Sequence, residues 1–312
     1  MAGGPPPALA ISRLVQGFFQ LFVIVSAQSL IADLSNGRSH QSNFAAYATL
    51  LAVGRMIGPI LVGFIIDNVG FRASFMASFG ILVLSAVTAY LVMLGALRKG
   101  RNQGVTAGAS GGGAVRTTIR NVGFQLAVLS SSGIFLALIV REAFMPVMLQ
   151  ELGISATAIG SLVSLGSLTA VLVRPLMPLV TRALRGTART LVVAMSAVAA
   201  GVGLLAVVDS VVWFGLLAVV TGFGTGVGIP LTIVTIASHV PPRERALALS
   251  LRLSSNHLVE IVVPVLSGVL VAAVGFAAGF AVAGLALAAL TVLALTRVRA
   301  FEALEQEAQG RP

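Results

Sequence analysis

Nine apolar runs, at roughly residues 10–32, 43–66, 74–97, 121–147, 155–181, 189–208, 211–238, 246–273 and 277–297, fill most of this chain. Each is near the about 20 residues that a helix needs to cross a hydrocarbon layer of about 30 Å. Membrane strands would be about 10 residues long with alternating polarity, so the runs predict helices. Composition agrees: 57% of the 312 residues are hydrophobic, only 10% are charged, and the mean hydropathy is +1.01. A soluble domain carries roughly 25% charged residues. The chain reads as an all-α polytopic membrane protein with the lipid bilayer as its solvent.

The 20 Lys and Arg residues outnumber the 10 Asp and Glu residues. Nucleic-acid binding would gather that excess on one solvated face beside stacking aromatics. Here it lies between apolar runs, so no nucleic-acid partner is expected. One set of connections holds Arg38, then Arg98, Lys99, Arg101, Arg116 and Arg120, then Arg182, Arg185 and Arg189, then Arg243 and Arg245, then Arg297 and Arg299. By the positive-inside rule that set is cytoplasmic, and so is the C-terminus. The other set, with Asp67, Arg72, Glu151, Asp209 and Gly275, faces out. Nine spans then place the N-terminus outside, although "MAGGPPPALAIS" before Arg13 lacks the basic region of a signal peptide. The expectation is a chain lacking helices at its front.

Without cysteine there is no disulfide framework and no thiolate metal site, and three histidines leave little for metal binding. No cofactor is expected. Nor does any nucleophile, base and orienter cluster suggest an enzyme.

The connection at 98–120, which contains "GRNQGVTAGASGGGAVRTTIR", is basic and rich in Gly and Ser, which predicts a flexible linker. It divides the chain into a partial three-helix bundle (1–97), a cytoplasmic linker (98–120), a six-helix bundle (121–299) and a cytoplasmic tail (300–312). A shift of 205 residues aligns the first three runs with the last three. Gly17-Phe18 falls on Gly222-Phe223, Arg38 on Arg243, Pro59 on Pro264, Gly63 on Gly268, and Gly70-Phe71 on Gly275-Phe276. Matching glycines, prolines and a loop arginine exceed generic apolar similarity, and two halves in parallel topology point to a transporter with a midplane site between them.

Three motifs carry a family resemblance. "RLVQG" at 13–17 resembles the R-x-x-Q-G element of the fourth helix of the major facilitator superfamily, "GRMIGPILVG" at 54–63 the fifth-helix element of its drug/proton antiporter branch, and "GFRASF" at 70–75 the opening of its sixth helix. The resemblance implies the two-bundle helical fold of that superfamily, with these nine helices equivalent to helices 4–12. It further implies a proton-coupled antiporter exporting small lipophilic molecules by alternating access. A carrier importing a small metabolite and a truncated, non-transporting remnant are the alternatives. A monomer in the plasma or inner membrane, with a small-molecule substrate and protons as partners, completes the expectation.

Gly54 and Gly58, four residues apart, would let a neighbouring backbone approach, and Pro59 would bend the helix there. These residues, with Gly17, Gly63, Pro264 and Gly268, read either as packing alone or as a seal between the bundles. Arg13 reads either as a coupling residue or as an arginine reaching the outer headgroups. Arg55 and Glu260 occupy equivalent repeat positions with opposite charge, and either pair or are satisfied separately. His257, one turn before Glu260, could share a proton path with it. Arg141 and Glu142 interrupt one run, as a proton-exchange site or an outer gate. Asp33, with Arg38 and Arg243, would sit at a cytoplasmic gate.

Overall fold

The computed structural model describes Val15 and Phe19, residues 40–98, 112–241 and 243–309. Within them the chain forms α1 (His40–Val69), α2 (Phe71–Arg98), α3 (Gly112–Arg120), α4 (Val122–Glu151), α5 (Ala156–Val173), α6 (Met177–Ala183), α7 (Thr187–Gly203), α8 (Val211–His239) and α9 (Arg245–Gln309). Helix is what an apolar chain must form in lipid, because each backbone donor then finds its acceptor within the same segment.

Seven helices among the described residues are long and apolar enough to cross a membrane. The last of them, Arg245–Val298, has 54 residues. At 1.5 Å per residue it would measure about 80 Å, far beyond a bilayer core. Gly275 resolves this: with φ 83° and ψ 171° it breaks α9 into two arms, 245–274 and 276–309. Eight of the nine expected segments are thus in place, and the run at 10–32 lies outside the described residues apart from Val15 and Phe19. The same reversal occurs between α1 and α2 at Gly70, where φ is 98°. Gly70 and Gly275 are repeat equivalents, and both adopt a conformation that a side chain disfavours.

Contacts divide the chain into two units, one of residues 1–54 and 77–107, the other of 55–76 and 108–312. The second unit holds the core. There α4 packs on the first and second arms of α9, α8 lies against α5 and α7, and α7 meets α9. Leu126, Ile134, Leu149, Leu191, Met195, Phe214 and Leu287 are buried between them. Helix α8 contains "GFGTGVGIP". Side chains at Gly222 and Gly226 would overlap the α5 backbone at Gly166 and Ala170, Gly224 faces the Ala194 carbonyl on α7, and Gly228 faces Ile134 on α4. Alternate glycines therefore seat one helix against three neighbours.

The 98–120 connection is not coil throughout, because α3 occupies its last nine residues. Thr117 and Thr118 donate to the two carboxylate oxygens of Glu244 at 2.9 and 2.8 Å, and Thr118 is fully buried. Asn121 then caps α4 by accepting from the Phe124 amide and ties it to α8 by donating to the His239 carbonyl. These side-chain bonds, not composition, decide where the linker ends.

Candidate functional site around the α1–α5 crossing

Within the second unit, α1 crosses the start of α5 at two glycines, each facing the other helix's backbone. A Cβ on Gly63 would overlap the Ala156 carbonyl, and one on Gly160 would overlap the Pro59 carbonyl. Each helix thus offers a glycine to the other's backbone. Beyond that crossing the Asp67 carboxylate accepts from the Ala156 and Thr157 amides at 3.0 and 2.7 Å. Helix α5 leaves its first amides without intrahelical partners and carries a partial positive charge there, and both favour a carboxylate. Ser155 completes the cap by accepting from the Ala158 amide.

Beside this crossing lies a cavity of about 600 Å³. Its polar lining comes from Arg55 and Asp67 on α1, Glu142 and Gln150 on α4, and Ser155 and Ser167 at α5. Apolar residues such as Val62, Ile66, Ile159 and Val163 make up most of the rest. Pro59 and Pro146 also line it. Such a concave, largely apolar space with a few polar groups is the usual form of a small-molecule site.

The expected site residues divide sharply. Arg55 and Glu142 share the cavity wall. Arg55 and Glu260 do not pair: Glu260 instead binds His257 at 2.9 Å, one turn away on its own helix, with both side chains about half exposed. A partner three residues away is available without any tertiary movement, and it took precedence over the repeat equivalent. Arg141 is buried and donates from Nη1 to the Thr221 hydroxyl at 2.9 Å. A Cβ on Gly166 would sit 2.5 Å from that nitrogen, so the missing side chain makes room for the guanidinium. Glu142, one residue on, turns away into the cavity, as successive helix positions must.

Gly54 and Gly58 do not receive a neighbouring backbone, since a Cβ at either would meet nothing within 4 Å among the described residues. Helices that touch at one crossing diverge away from it, and the crossing lies one turn later, at Gly63. Among the described residues Gly268 meets only the tip of the Phe144 ring, at 4.0 Å, and Pro264 lies inside the first arm of α9. Arg243 is exposed in the turn before α9, where the tertiary bonds belong to Glu244. Arg13, Gly17, Asp33 and Arg38 lie outside the described residues.

Sequence reasoning passed over Gly160 and Glu244, and saw Asp67 only as a loop acid. The Asp67 contact spans 89 and 90 residues, so no local pattern signals it. A buried cluster around Arg252 was also missed, although a cation inside the run 246–273 is itself a signal.

Among solved structures, the chain is similar to a POT family transporter in complex with 5-aminolevulinic acid, at 13% identity and a TM-score of 0.54, covering 84% of this chain and 70% of that one. It is similar to a POT family transporter in complex with a thioalcohol conjugated peptide, at 14% identity and a TM-score of 0.52 with the same coverages. At these identities the likeness is one of fold. No curated protein sequence matches. The family model described as Major Facilitator Superfamily matches residues 1–141 and 130–311, two segments that together take in the repeat, the Gly70 and Gly275 reversals and the helices around the cavity: the chain belongs to the Major Facilitator Superfamily, a family of membrane transporters.

Proposed function

We propose that the chain serves proton-coupled efflux of small lipophilic molecules by alternating access. The observation that carries this reading is the cavity whose wall holds both Arg55 and Glu142 beside the Gly63–Gly160 crossing. An apolar lining suits a lipophilic substrate, and a carboxyl group facing that lining can exist in two charge states. Protonated, Glu142 would leave the cavity less polar; ionised, it would be drawn to Arg55. Occupancy by substrate or proton would bias two arrangements of the helices, as alternating access requires.

In this reading the α1–α5 crossing is the outer seal. The positive-inside rule puts Asp67 outside, and two backbones in contact leave no path for ions between them. Asp67 holds the seal closed by capping α5, and the opening step must break those two hydrogen bonds. Arg141 shapes the wall from behind.

A second reading is import of a small metabolite. The fold neighbours include a transporter bound to 5-aminolevulinic acid, and the cavity is roomy enough for such a molecule.

Proteoliposomes holding the protein and a lipophilic fluorescent dye test the first reading. A pH gradient should drive dye movement, and Glu142→Gln together with Glu260→Gln should abolish the gradient-driven part. Unchanged pH-driven flux in that double variant removes the coupling assignment. Absence of any carrier-mediated flux removes the efflux reading.

A further inference from the structure

Arg252, on the first arm of α9, is 5% exposed, and no described carboxylate lies within ion-pair distance of it. Its Nη1 donates to the hydroxyls of Ser131 on α4 and Thr232 on α8, at 3.0 and 3.2 Å. Nothing partners Nε among the described residues.

The hydrogen bonds around this group run in one direction only. The Ser131 oxygen accepts from the guanidinium, so its hydrogen goes to Asn256 Oδ1 at 2.9 Å. That bond orients the amide: its oxygen faces Ser131 and its Nδ2 points away, where it has no described partner. Asn256 is 2% exposed. The Thr232 hydroxyl likewise directs its hydrogen to the Ile229 carbonyl at 2.7 Å. Both hydroxyls and the amide oxygen are therefore engaged. What remains are N–H groups, on Arg252 Nε and Asn256 Nδ2, around one fixed positive charge.

Unmet N–H donors beside a fixed cation repel metal ions and are complementary to an anion. With Nη1 tied down, the free edge of the guanidinium is the one that includes Nε, the side-on fork that presents two parallel N–H groups to a carboxylate or phosphate. Three helices, α4, α8 and α9, hold it in place.

We infer that Arg252 and Asn256 form a binding site for a small oxyanion, a carboxylate above all, inside the second unit. As a substrate subsite it rests on the carrier reading and narrows it to molecules bearing such a group; as a site for a free oxyanion it stands without it.

The test uses the full chain in lipid nanodiscs, with thermal unfolding followed as sodium acetate, sodium phosphate or sodium chloride is titrated at matched ionic strength. Acetate should raise the melting temperature saturably, beyond chloride. Arg252→Gln should weaken the apparent acetate affinity about tenfold or more, and Arg252→Lys, which keeps the charge but not the fork, by less. Asn256→Asp supplies a carboxylate from the protein itself. It should raise the melting temperature without added salt and remove the acetate response, which keeps the test decisive if Arg252→Gln fails to fold. A response to acetate alone points to a substrate carboxylate, and an equal response to phosphate points to a free oxyanion; either supports the site. Acetate and phosphate no more effective than chloride, or a response that survives in Asn256→Asp, overturns it. Binding is read here without transport. Dye flux with no oxyanion response sinks the site and leaves the carrier reading standing, and an oxyanion response without flux does the reverse.

Discussion

The end of α1 and the first arm of α9 are repeat equivalents, and they share their covalent plan. Each has a proline inside the helix, Pro59 or Pro264, a glycine four residues later, Gly63 or Gly268, and a reversal at a glycine with positive φ, Gly70 or Gly275. Among the described residues their surroundings differ. Gly63 is buried against the α5 backbone, and Asp67 beyond it caps that helix. Among the described residues Gly268 touches only a ring tip, the position equivalent to Asp67 is Ala272, and Ile261, Val265 and Val269 nearby are more than 60% exposed. A duplicated sequence therefore repeats the backbone turn faithfully but not the packing. The turn depends on local torsion angles, whereas a close crossing needs a particular partner helix with its own glycine.

The largest effect that would break this contrast comes from filling the glycines. Gly63→Val or Gly160→Val should destabilise by about 1–3 kcal/mol, because the displaced atoms are backbone and cannot turn aside. Gly268→Val should change stability by less than about 0.5 kcal/mol. Chemical denaturation of the reconstituted protein measures both, and equal costs would erase the distinction. The two reversals should behave alike. Gly70→Ala and Gly275→Ala each face a positive φ and should cost roughly 1–3 kcal/mol in the same assay; a large difference would show that the turns are not true equivalents.

Charge effects should be smaller and mainly functional. Asp67→Ala frees the first amides of α5, and a cysteine introduced at Val163 should then react severalfold faster with an impermeant maleimide. The native chain has no cysteine to confuse the signal. Asp67→Asn, which keeps an acceptor, should lie between. An unchanged rate in both would end the idea of Asp67 as a latch. The smallest effect belongs to the exposed His257–Glu260 pair: Glu260→Gln should shift stability by less than about 1 kcal/mol, falling further with salt.

Much of the fold was legible because lipid imposes a simple rule. Runs long enough to cross and too apolar to sit in water become helices, and glycines at 70 and 275 mark where they reverse. The candidate site was only half legible. Glu142 stood out as an acid in an apolar run, and Pro59 and Gly63 as interruptions of one. Of the two readings of Arg55 and Glu260, separate partners prevailed over a pair, because repeat equivalence says that two residues occupy similar places in two halves, not that they meet. Gly54 and Gly58 meet no neighbour among the described residues, because spacing shows which residues share a face but not where along that face a neighbour crosses.

The sequence by itself determined the helices, their reversals, the duplication and the family, since each follows from hydropathy, local torsion preference or motif. Only the tertiary structure decided that Asp67 reaches an amide pair some ninety residues away, that Gly63 meets the α5 backbone, and that Arg252 shares the Ser131 hydroxyl with Asn256 and meets no described acid. Those outcomes depend on how helices are rotated and crossed. Helices apolar on all sides have no single buried stripe to fix that rotation in advance, so it is settled by where small residues let two backbones meet.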